Sequence, residues 1–322
     1  MRWFPTALAV LLLAVLQPAC AQDAFPSRPL KIIVPYPPGG TADAMARALG
    51  QELTTALGQP VVVDNRPGAN TIVGAQAAAR SPADGYTLLF TTDSTLTINP
   101  KLVKSLPYDP IKDFDPITLL AYQDLVLVAN PAAGADTLEA FVALAKAKPG
   151  VLNYGSFGTG SQPHLAMEML KQLTGIELEH IPSKGIAQVI TDLLSGQVEV
   201  AFVGISAAGL IKAGKVRGLA TGGQNRSALF GDVPTFKEKG FPQMYARAWW
   251  GIVAPAGTPP AVVVKLNASL NGIIGDKEFQ AKRMTSQGLE PVGSTPAAFA
   301  ELIREDGKQW AKVIDLAGIR PE

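Results

Sequence analysis

Two kinds of apolar pattern alternate along this chain. Short continuous runs such as Leu30–Val34 are typical of strands that are buried on both faces. The stretch that follows instead repeats Met45, Leu49 and Leu53 on one face, which predicts a helix capped by Thr41. Further strands are predicted at Val61–Asp64, Thr87–Thr91, Leu125–Ala129, Leu152–Gly155, Glu177–Ile181 and Val198–Val203, with helices at Ser161–Leu173 and Ile186–Leu194.

The alternation of strands with helices predicts an α/β protein with parallel, doubly wound sheets. The 322 residues exceed what one typical hydrophobic core organises, so we expect two domains. In open sheets of this kind, ligands bind at the carboxyl ends of the strands. The turns that leave those ends are therefore the places where a binding site is expected.

Two of these turns are rich in glycine and run from a strand end into a helix. The first spans Val34–Asp43 and reads VPYPPGGTAD, and the second spans Tyr154–His164 and reads YGSFGTGSQPH. Each turn could aim backbone N–H groups and a helix N-terminus at an anion, because free donors and aligned peptide dipoles favour negative charge there. Together they predict an anion receptor with two binding turns.

The N-terminal segment is predicted to be a cleaved secretory signal. Arg2 precedes an apolar run at Ala7–Leu16, and small residues follow it, which predicts cleavage after Ala21. The run is too short to span a bilayer. Lipidation of Cys20 is the alternative, but Gln17 stands where a lipoprotein signal usually carries an aliphatic residue.

Charge and cysteine content narrow the class of partner. The chain carries 28 Lys and Arg against 27 Asp and Glu, and loss of Arg2 with the signal leaves 27 of each, a formal net charge of zero. Nucleic acid or an anionic membrane normally requires a basic excess. The single cysteine, Cys20, leaves with the signal, so the mature chain has neither a disulfide nor a thiol nucleophile.

The motifs of several common enzyme classes are missing from the sequence. It contains no Gly-x-Ser-x-Gly elbow, no Gly-Lys-Ser/Thr phosphate loop, no Gly-x-Gly-x-x-Gly fingerprint and no His-Glu-x-x-His. His164 and Glu168 lie four residues apart on a predicted helix, but two ligands without a third are a weak metal signal. We interpret His164 as a support for the second turn and His180 as an ordinary strand residue, and we expect no metal, no cofactor and no catalytic site.

A series of short motifs continues in order through the mature chain. The motifs are NRPGA at 65–69 with Gly74, DGYTL at 84–88, LPYDP at 106–110, KDF at 112–114, KG at 184–185, DLL at 192–194, GQ at 196–197, KAG at 212–214, DVPT at 232–235, APAGTP at 254–259 and AGI at 317–319. Together with the two turns, this series resembles the Bug-type solute receptors of tripartite tricarboxylate transporters. The resemblance covers essentially the whole mature chain.

The resemblance implies a type II-like periplasmic binding protein with two lobes, each a mainly parallel sheet flanked by helices, and two crossover segments. After a signal at 1–21, lobe one is expected from residues 22–124 and again from 249–322, and lobe two from residues 125–248. The terminal segment from Pro260, which includes a helix expected at Pro296–Ile314, should pack back on lobe one. The ligand is expected in the cleft between the lobes, where both turns hold its carboxylate directly and through ordered water.

The residues expected to contact the ligand belong to the two turns and to neighbouring strand ends. Backbone N–H groups of the glycines and several hydroxyls would donate to the anion, and two aromatic rings could cover its organic part. Simpler roles stay open, because a Gly-Gly pair can merely permit a turn and Ser161 can merely cap its helix. The expected contacts are Tyr36, Pro38, Gly39, Gly40, Thr41, Thr92, Ser94, Ser156, Phe157, Thr159, Gly160, Ser161 and Gly185.

Several positions bear on the choice of ligand. Val203 stands where many relatives carry an acidic residue that can meet an amino group, so plain carboxylic acids are favoured over amino acids. Ser183 and Gln188 replace the usual tyrosine and proline, and they could reshape the far wall of the cleft. Asp93, next to the expected contacts, would repel an anion unless it is paired or accepts a hydrogen bond from a ligand hydroxyl.

The sequence therefore predicts a periplasmic solute-binding protein, expected to be a monomer, that captures a dicarboxylate, a tricarboxylate or an aromatic acid. It would deliver this ligand to the membrane permease subunits of a tripartite tricarboxylate transporter. A receptor that reports its ligand to a membrane signalling partner needs the same closed clamp and stays open as an alternative. A secreted enzyme is the third alternative, and the missing motifs argue against it.

Overall fold

The structure, a computed structural model, describes residues 25–321. The expected signal segment at 1–21 and the alternative lipid site at Cys20 lie outside the described residues. The strands are β1 Leu30–Val34, β2 Val61–Asn65, β3 Thr87–Thr92, β4 Phe114–Asp124, β5 Val126–Ala129, β6 Asn153–Ser156, β7 Glu179–Pro182, β8 Val200–Val203, β9 Arg217–Thr221, β10 Arg247–Pro255 and β11 Leu289–Pro291.

Helices follow most of these strands. Two short π-helical turns also occur: Ser94–Ile98 directly precedes the helix that begins at Asn99, and Gln280–Met284 directly follows the helix that ends at Phe279. Within residues 25–321, no helix combines the length and the apolar content needed to cross a bilayer. The α-helices are α1 Thr41–Leu57, α2 Ile72–Ala79, α3 Asn99–Leu102, α4 Leu138–Ala147, α5 Gln162–Thr174, α6 Ile186–Ser195, α7 Ala207–Lys212, α8 Pro260–Gly275, α9 Lys277–Phe279 and α10 Pro296–Leu316.

The first sheet has the strand order β11-β4-β10-β3-β1-β2. β1 pairs in parallel with β2 and β3, whereas β10 runs antiparallel to both β3 and β4. Along β1, Ile32 and Val34 join one apolar cluster and Ile33 joins the cluster on the opposite face of the sheet. Burial on both faces is the physical reason why this strand reads as a continuous apolar run.

The second sheet has the strand order β7-β6-β8-β5-β9. β6 pairs in parallel with β7 and β8, and β5 runs antiparallel to β8 and β9. Apolar clusters again cover both faces, one containing Tyr154 and Leu165 and the other Val189 and Val203. Each sheet thus has its own core, and we refer to the first sheet with its helices as lobe one and to the second as lobe two.

The α/β class with two sheets agrees with the sequence, but both sheets are mixed rather than mainly parallel. The reason lies in the strands that carry the chain between the lobes. The chain leaves lobe one along β4, enters lobe two along β5, and returns along β10, so β10 must run against β4. β4 ends at Asp124 and β5 begins at Val126. The exact lobe boundaries stay a prediction of the sequence.

The C-terminal helix α10 contacts both lobes. Its residues Phe299 and Ile303 belong to a cluster on the first sheet, whereas Trp310 and Val313 belong to the main cluster of the second sheet. The helix therefore packs on lobe one, where the sequence placed it, and its C-terminal half also packs on lobe two. Its apolar stripe extends beyond the face of the first sheet and continues onto lobe two.

A buried carboxyl lies midway along α10, where the helix passes the crossover strands. Asp306 Oδ2 accepts hydrogen bonds from Thr97 Oγ1 at 2.6 Å and from Trp249 Nε1 at 2.8 Å. Burial raises the pKa of Asp306 to about 6. The same burial, with the nearby Asp306, raises the pKa of Asp93 well above its ordinary value. Two carboxyl groups therefore meet where both lobes, α10 and the crossover strands converge.

Candidate functional site

The first glycine turn leaves β1 at Val34 and enters α1. Gly39 has φ +88°, a left-handed conformation that favours glycine. Gly40 occupies the N-cap position with φ −82°, so Thr41 is the first helical residue and not the cap that the sequence predicted. Since Gly40 has no side chain, the first N–H groups of α1 receive no capping bond from it.

A charged network braces this turn from behind. Asp43 Oδ2 accepts the N–H of Gly39 at 3.0 Å and Nε of Arg47 at 3.0 Å. Arg47 in turn donates to Asn65 Oδ1 at 3.1 Å, and Asn65 Nδ2 donates to the carbonyl of Tyr36 at 3.2 Å. The hydrogen bond from Arg47, followed by that from Gly39, holds the pKa of Asp43 below its ordinary value against the effect of burial. Asp43 thus supports the turn as a carboxylate.

The end of β3 lies beside this turn. The hydroxyl of Tyr36 and Oγ1 of Thr92 are 2.9 Å apart, which brings two of the expected ligand contacts together. Burial raises the pKa of the Tyr36 phenol, so it stays protonated. Ser94 is half-buried, and its N–H donates to Asp93 Oδ1 at 2.8 Å. The raised pKa of Asp93 favours its neutral form, which repels an anion less than a carboxylate does.

The second glycine turn is held almost entirely by neutral groups. Gly158 and Gly160 have φ +125° and +74°. The N–H of Gly158 donates to Ser156 Oγ at 3.1 Å, and the N–H of Gly160 donates to His164 Nδ1 at 2.9 Å. Ser161 occupies the N-cap position of α5, but its hydroxyl donates to the carbonyl of Gly158 at 2.7 Å instead of capping the helix.

Because of these bonds, some of the N–H groups that the sequence predicted as ligand donors are already engaged within the protein. The N–H groups of Gly39, Gly158 and Gly160 donate to protein acceptors, so they are not free to hold a carboxylate directly. Ser156 is fully buried, and its hydroxyl is also engaged within the turn. Several turn N–H groups donate to no acceptor in the described part of the chain, and those of Gly40, Thr41 and Thr159 are among them.

Three aromatic rings are stacked beneath the second turn. The ring centroids of Tyr154, from β6, and His180 are 4.8 Å apart. The ring centroids of His180 and His164 are 4.1 Å apart, and their planes differ by 6°. Nε2 of His180 is 2.7 Å from Ser156 Oγ. The interpretation of His164 as a support for the turn agrees with its bond to Gly160. His180 is more than an ordinary strand residue, because it bonds to the same turn.

The two turns differ in the space around their glycines. A Cβ added to Gly160 would lie 2.2 Å from Cδ1 of Leu102, a residue of α3 that follows β3. A Cβ added to Gly40 would meet only the carbonyl of Pro37, at 3.9 Å. Within residues 25–321, no hydrogen bond joins the first turn to the second. The second turn is thus packed against the other lobe, whereas the first is open to solvent.

Gly185, an expected contact outside the two turns, precedes α6 and lies near the second turn. The neighbouring Ser183 donates its N–H to the carbonyl of Ser156 at 2.9 Å, which ties the two loops together. Ser183 Oγ and Gln188 Nε2 both donate to the buried carboxylate of Asp192, at 3.0 and 2.7 Å. Both side chains are thus held by Asp192 of their own lobe while Gln188 stays exposed, and their effect on the wall of the cleft stays a prediction.

Val203, the position without an acidic residue, lies in an apolar cluster and is 1 % exposed. Glu168, considered above as a metal ligand with His164, instead accepts the hydroxyl of Tyr154 at 2.6 Å and the ammonium of Lys171 at 2.7 Å. Among residues 25–321, no group of three or more His, Cys, Asp or Glu side chains is placed to hold a metal ion.

Sequence reasoning missed three parts of this site. Arg47 and Asn65 brace the first turn from a helix face and from the end of β2, although Asn65 does begin the NRPGA motif. Leu102 closes over Gly160 from the other lobe. The i,i+4 spacing of Asp43 and Arg47 on α1 is a local signal that could have indicated the first brace. The partners of Asn65 and Leu102 are distant along the chain, so no local pattern reports those contacts.

Comparison with known proteins identifies the family of the chain. A model described as the tripartite tricarboxylate transporter family receptor matches residues 45–319. The chain belongs to this family. Protein BugT of Bordetella pertussis (strain Tohama I) is 39% identical over 300 residues, which are 92% of each chain. The resemblance to Bug-type receptors is therefore confirmed.

Solved structures agree on the fold. A periplasmic transporter is 40% identical, with a TM-score of 0.78 over 92% of this chain and 99% of that chain. Rpa4515 of R. palustris, solved with adipate, is 31% identical, with a TM-score of 0.79 over 92% of this chain and all of that one. MatC from Rhodopseudomonas palustris, with bound malate, is 30% identical, with a TM-score of 0.74 over 90% and 100%. The periplasmic-binding-protein fold expected from the sequence is confirmed, and proteins of this fold and family are solute receptors.

Proposed function

We propose that this protein is a periplasmic receptor that captures a small organic carboxylate and delivers it to the permease subunits of a tripartite tricarboxylate transporter. The observation that carries the proposal is a set of free backbone donors at a helix N-terminus on each lobe. Gly40 and Thr41 provide them at the start of α1, and Thr159 provides one before α5. Such sites favour anions through both hydrogen bonds and peptide dipoles.

The ligand class is inferred from three further features. Adipate and malate, the ligands of two neighbours, are both dicarboxylates. The ring of Phe157 is 37 % exposed on the second turn, and Pro38 is exposed on the first, so apolar surface is available for a hydrocarbon segment. We therefore propose a dicarboxylate, a tricarboxylate or an aromatic acid, bound by a monomer without cofactor or chemical conversion.

Gly40 offers a clean test of the carboxylate site. Aspartate is a favoured N-cap residue, so Gly40→Asp should preserve or raise the stability of the fold while placing negative charge beside the proposed ligand. We expect Gly40→Asp to weaken binding at least about tenfold and Gly40→Ala to change it less than about threefold. Titration calorimetry would follow a thermal-shift screen of mono-, di- and tricarboxylates, because ligands that bind the native state raise its stability.

Esters of the same acids supply the second arm of this test. Esterification removes the charge that the free N–H groups would receive, so the diester should not bind. Equal affinity for acid and ester, or undiminished binding by well-folded Gly40→Asp, would show that the anion does not lie at this turn.

Delivery to a permease and processing require separate measurements. Uptake of a labelled acid by cells should require this receptor, and binding without uptake would favour the sensor alternative. The intact mass of periplasmic protein should correspond to a chain that begins at Gln22, and a mass with a diacylated Cys20 would refute the predicted cleavage. The bound acid should be recovered chemically unchanged, and an altered product would favour an enzyme.

A further inference from the structure

The ring stack beneath the second turn consists of one residue from each of three elements. Tyr154 belongs to β6, His180 to β7 and His164 to α5. The rings are nearly parallel, at 18° between Tyr154 and His180 and 6° between the two histidines. Buried aromatic stacks often serve only to fill a core. Here the polar edges of both histidines also reach the backbone or side chains of one turn.

Those polar contacts fall on alternate residues of the turn. His164 Nδ1 accepts the N–H of Gly160 at 2.9 Å, so this nitrogen must be unprotonated. His180 Nε2 is 2.7 Å from Ser156 Oγ, and Ser156 Oγ accepts the N–H of Gly158 at 3.1 Å. Between these fixed donors lies Thr159, whose N–H has no acceptor in the described part of the chain.

We propose that His164 and His180 are positioning residues that hold the second turn so that the Thr159 N–H and the start of α5 stand free for a carboxylate. The proposal rests on the proposed function of this turn as a carboxylate site. It also implies that binding requires His164 to be neutral, because a proton on Nδ1 would oppose the N–H of Gly160. Ligand affinity should then fall as His164 is protonated.

The surroundings of the stack favour its neutral form. Burial, and after it the neighbouring His180, lowers the pKa of His164 to about 4, and burial lowers the pKa of His180. On α5, the carboxylate of Glu168 raises the pKa of both histidines and the ammonium of Lys171 lowers it, so their effects oppose each other. Two further carboxylates lie farther along the same sheet: Glu179 belongs to β7, and Glu199 directly precedes β8.

Asparagine and glutamine substitutions can separate positioning from packing. Asparagine places an acceptor near the Nδ1 position of histidine, and glutamine places a polar atom near the Nε2 position. His164→Asn and His180→Gln should therefore rescue most of the binding, whereas His164→Gln and His180→Asn should lose the contact. We expect about tenfold weaker binding for the two mismatched variants and less than about threefold for the two matched ones.

Adipate and malate serve as probes, and calorimetry on folded variants gives the dissociation constants. Asparagine should preserve binding at position 164 and glutamine at position 180. If the stack had only a packing role, both substitutions at a given histidine would weaken binding to a similar extent. Equal losses for asparagine and glutamine at either position would overturn the proposal.

A pH series supplies a readout that packing alone would not change. The affinities of the wild type and of His164→Asn for the same acid are measured between pH 7 and pH 4. The protonation of the acid affects both proteins equally, so it drops out of the ratio of the wild-type affinity to the variant affinity. This ratio should fall as the pH approaches 4, where His164 gains a proton. A constant ratio would contradict the role of His164.

The turn can also be examined without ligand, which separates this proposal from the proposed function. By NMR, the Gly160 amide should be protected from hydrogen exchange in the wild type and in His164→Asn, and it should lose protection in His164→Gln. If neither acid binds the wild type but this pattern holds, the carboxylate function fails and the positioning role stands. If Gly160 exchanges equally in all three proteins, the positioning role fails.

Discussion

The two glycine turns occupy corresponding places in the two lobes but are stabilised by different chemistry. The first is exposed and depends on the ionised pair of Asp43 and Arg47. The second is packed under Leu102 and depends on the neutral rings of His164 and His180. Equivalent positions after parallel strands therefore do not imply equivalent supports.

The contrast has a consequence for how a ligand would be held. The free donors of the first turn lie at the open edge of α1, where a side chain can be added without a clash. In the second turn, the free N–H of Thr159 lies between two N–H groups that already donate to protein acceptors. We infer that the first turn can adapt to different ligands, whereas the second provides a fixed reference point for the carboxylate.

Gly160→Ala should produce the largest difference between the turns. Its φ of +74° disfavours a side chain by about 1 kcal/mol, and the overlap with Leu102 adds about 1–2 kcal/mol. Gly40→Ala has neither problem and should change the free energy of unfolding by less than about 0.5 kcal/mol. Urea unfolding of both variants measures the contrast.

Leu102→Ala provides the control for the overlap. In a double-mutant cycle with Gly160→Ala, it should restore the part of the unfolding free energy that is lost to the clash. The part that is lost to the unfavourable backbone conformation should not be restored. Equal losses for Gly40→Ala and Gly160→Ala would remove the distinction between an open and a packed turn.

Acidification should weaken the two turns in different pH windows. The folded-state pKa of His164 is about 4 and its ordinary value is 6.5, so the unfolded chain binds more protons between them and stability falls as the pH drops through this window. The pKa of Asp43 is lowered from 3.8, so its contribution is lost only below that value. Amide exchange of Gly160 should therefore rise at a higher pH than that of Gly39.

The pH comparison needs a variant because other groups titrate in the same range. The raised pKa of Asp306, about 6, acts in the opposite direction and makes the fold more stable as the pH falls from 6 toward 4. His164→Asn should remove the histidine contribution and leave that of Asp306. Identical pH profiles for the wild type and this variant would contradict the assignment.

Asp43→Ala should have a smaller effect, confined to the first turn. It leaves the N–H of Gly39 without its acceptor and Arg47 without its carboxylate, a loss of about 1 kcal/mol. Asp43→Asn keeps an acceptor for Gly39 and should lose about half as much. Exchange of the Gly160 amide, on the other lobe, should be unchanged in both variants. A parallel change there would show that the supports of the two turns are coupled.

The sequence predicted the strands before each turn more accurately than the contacts around them. β1, β2 and β3 agree within one residue, and the apolar runs of β1 and β3 are buried on both faces, whereas β2 is a partly exposed edge strand. β10 was expected only as a crossover, since its direction depends on the return of the chain from lobe two. The acceptor for Gly160 depends on the side-chain conformation of His164, and its neighbour His180 comes from another strand, so no local pattern could specify either.

Ser161→Ala should have the smallest effect, although the sequence made Ser161 a helix cap. Its hydroxyl donates to the carbonyl of Gly158, which also accepts the N–H of Ser161 at 3.1 Å, so the substitution leaves that carbonyl bonded.

Thr137 offers a matched control, because its hydroxyl does cap α4 by accepting the N–H of Ala140 at 3.2 Å. Thr137→Ala should lose about 1 kcal/mol of unfolding free energy, and Ser161→Ala less than about 0.5 kcal/mol. Chemical denaturation of the two variants under the same conditions measures the difference. An equal or larger loss for Ser161→Ala would mean that its hydroxyl supports α5 directly, and the second turn would then depend on a cap as well as on its histidines.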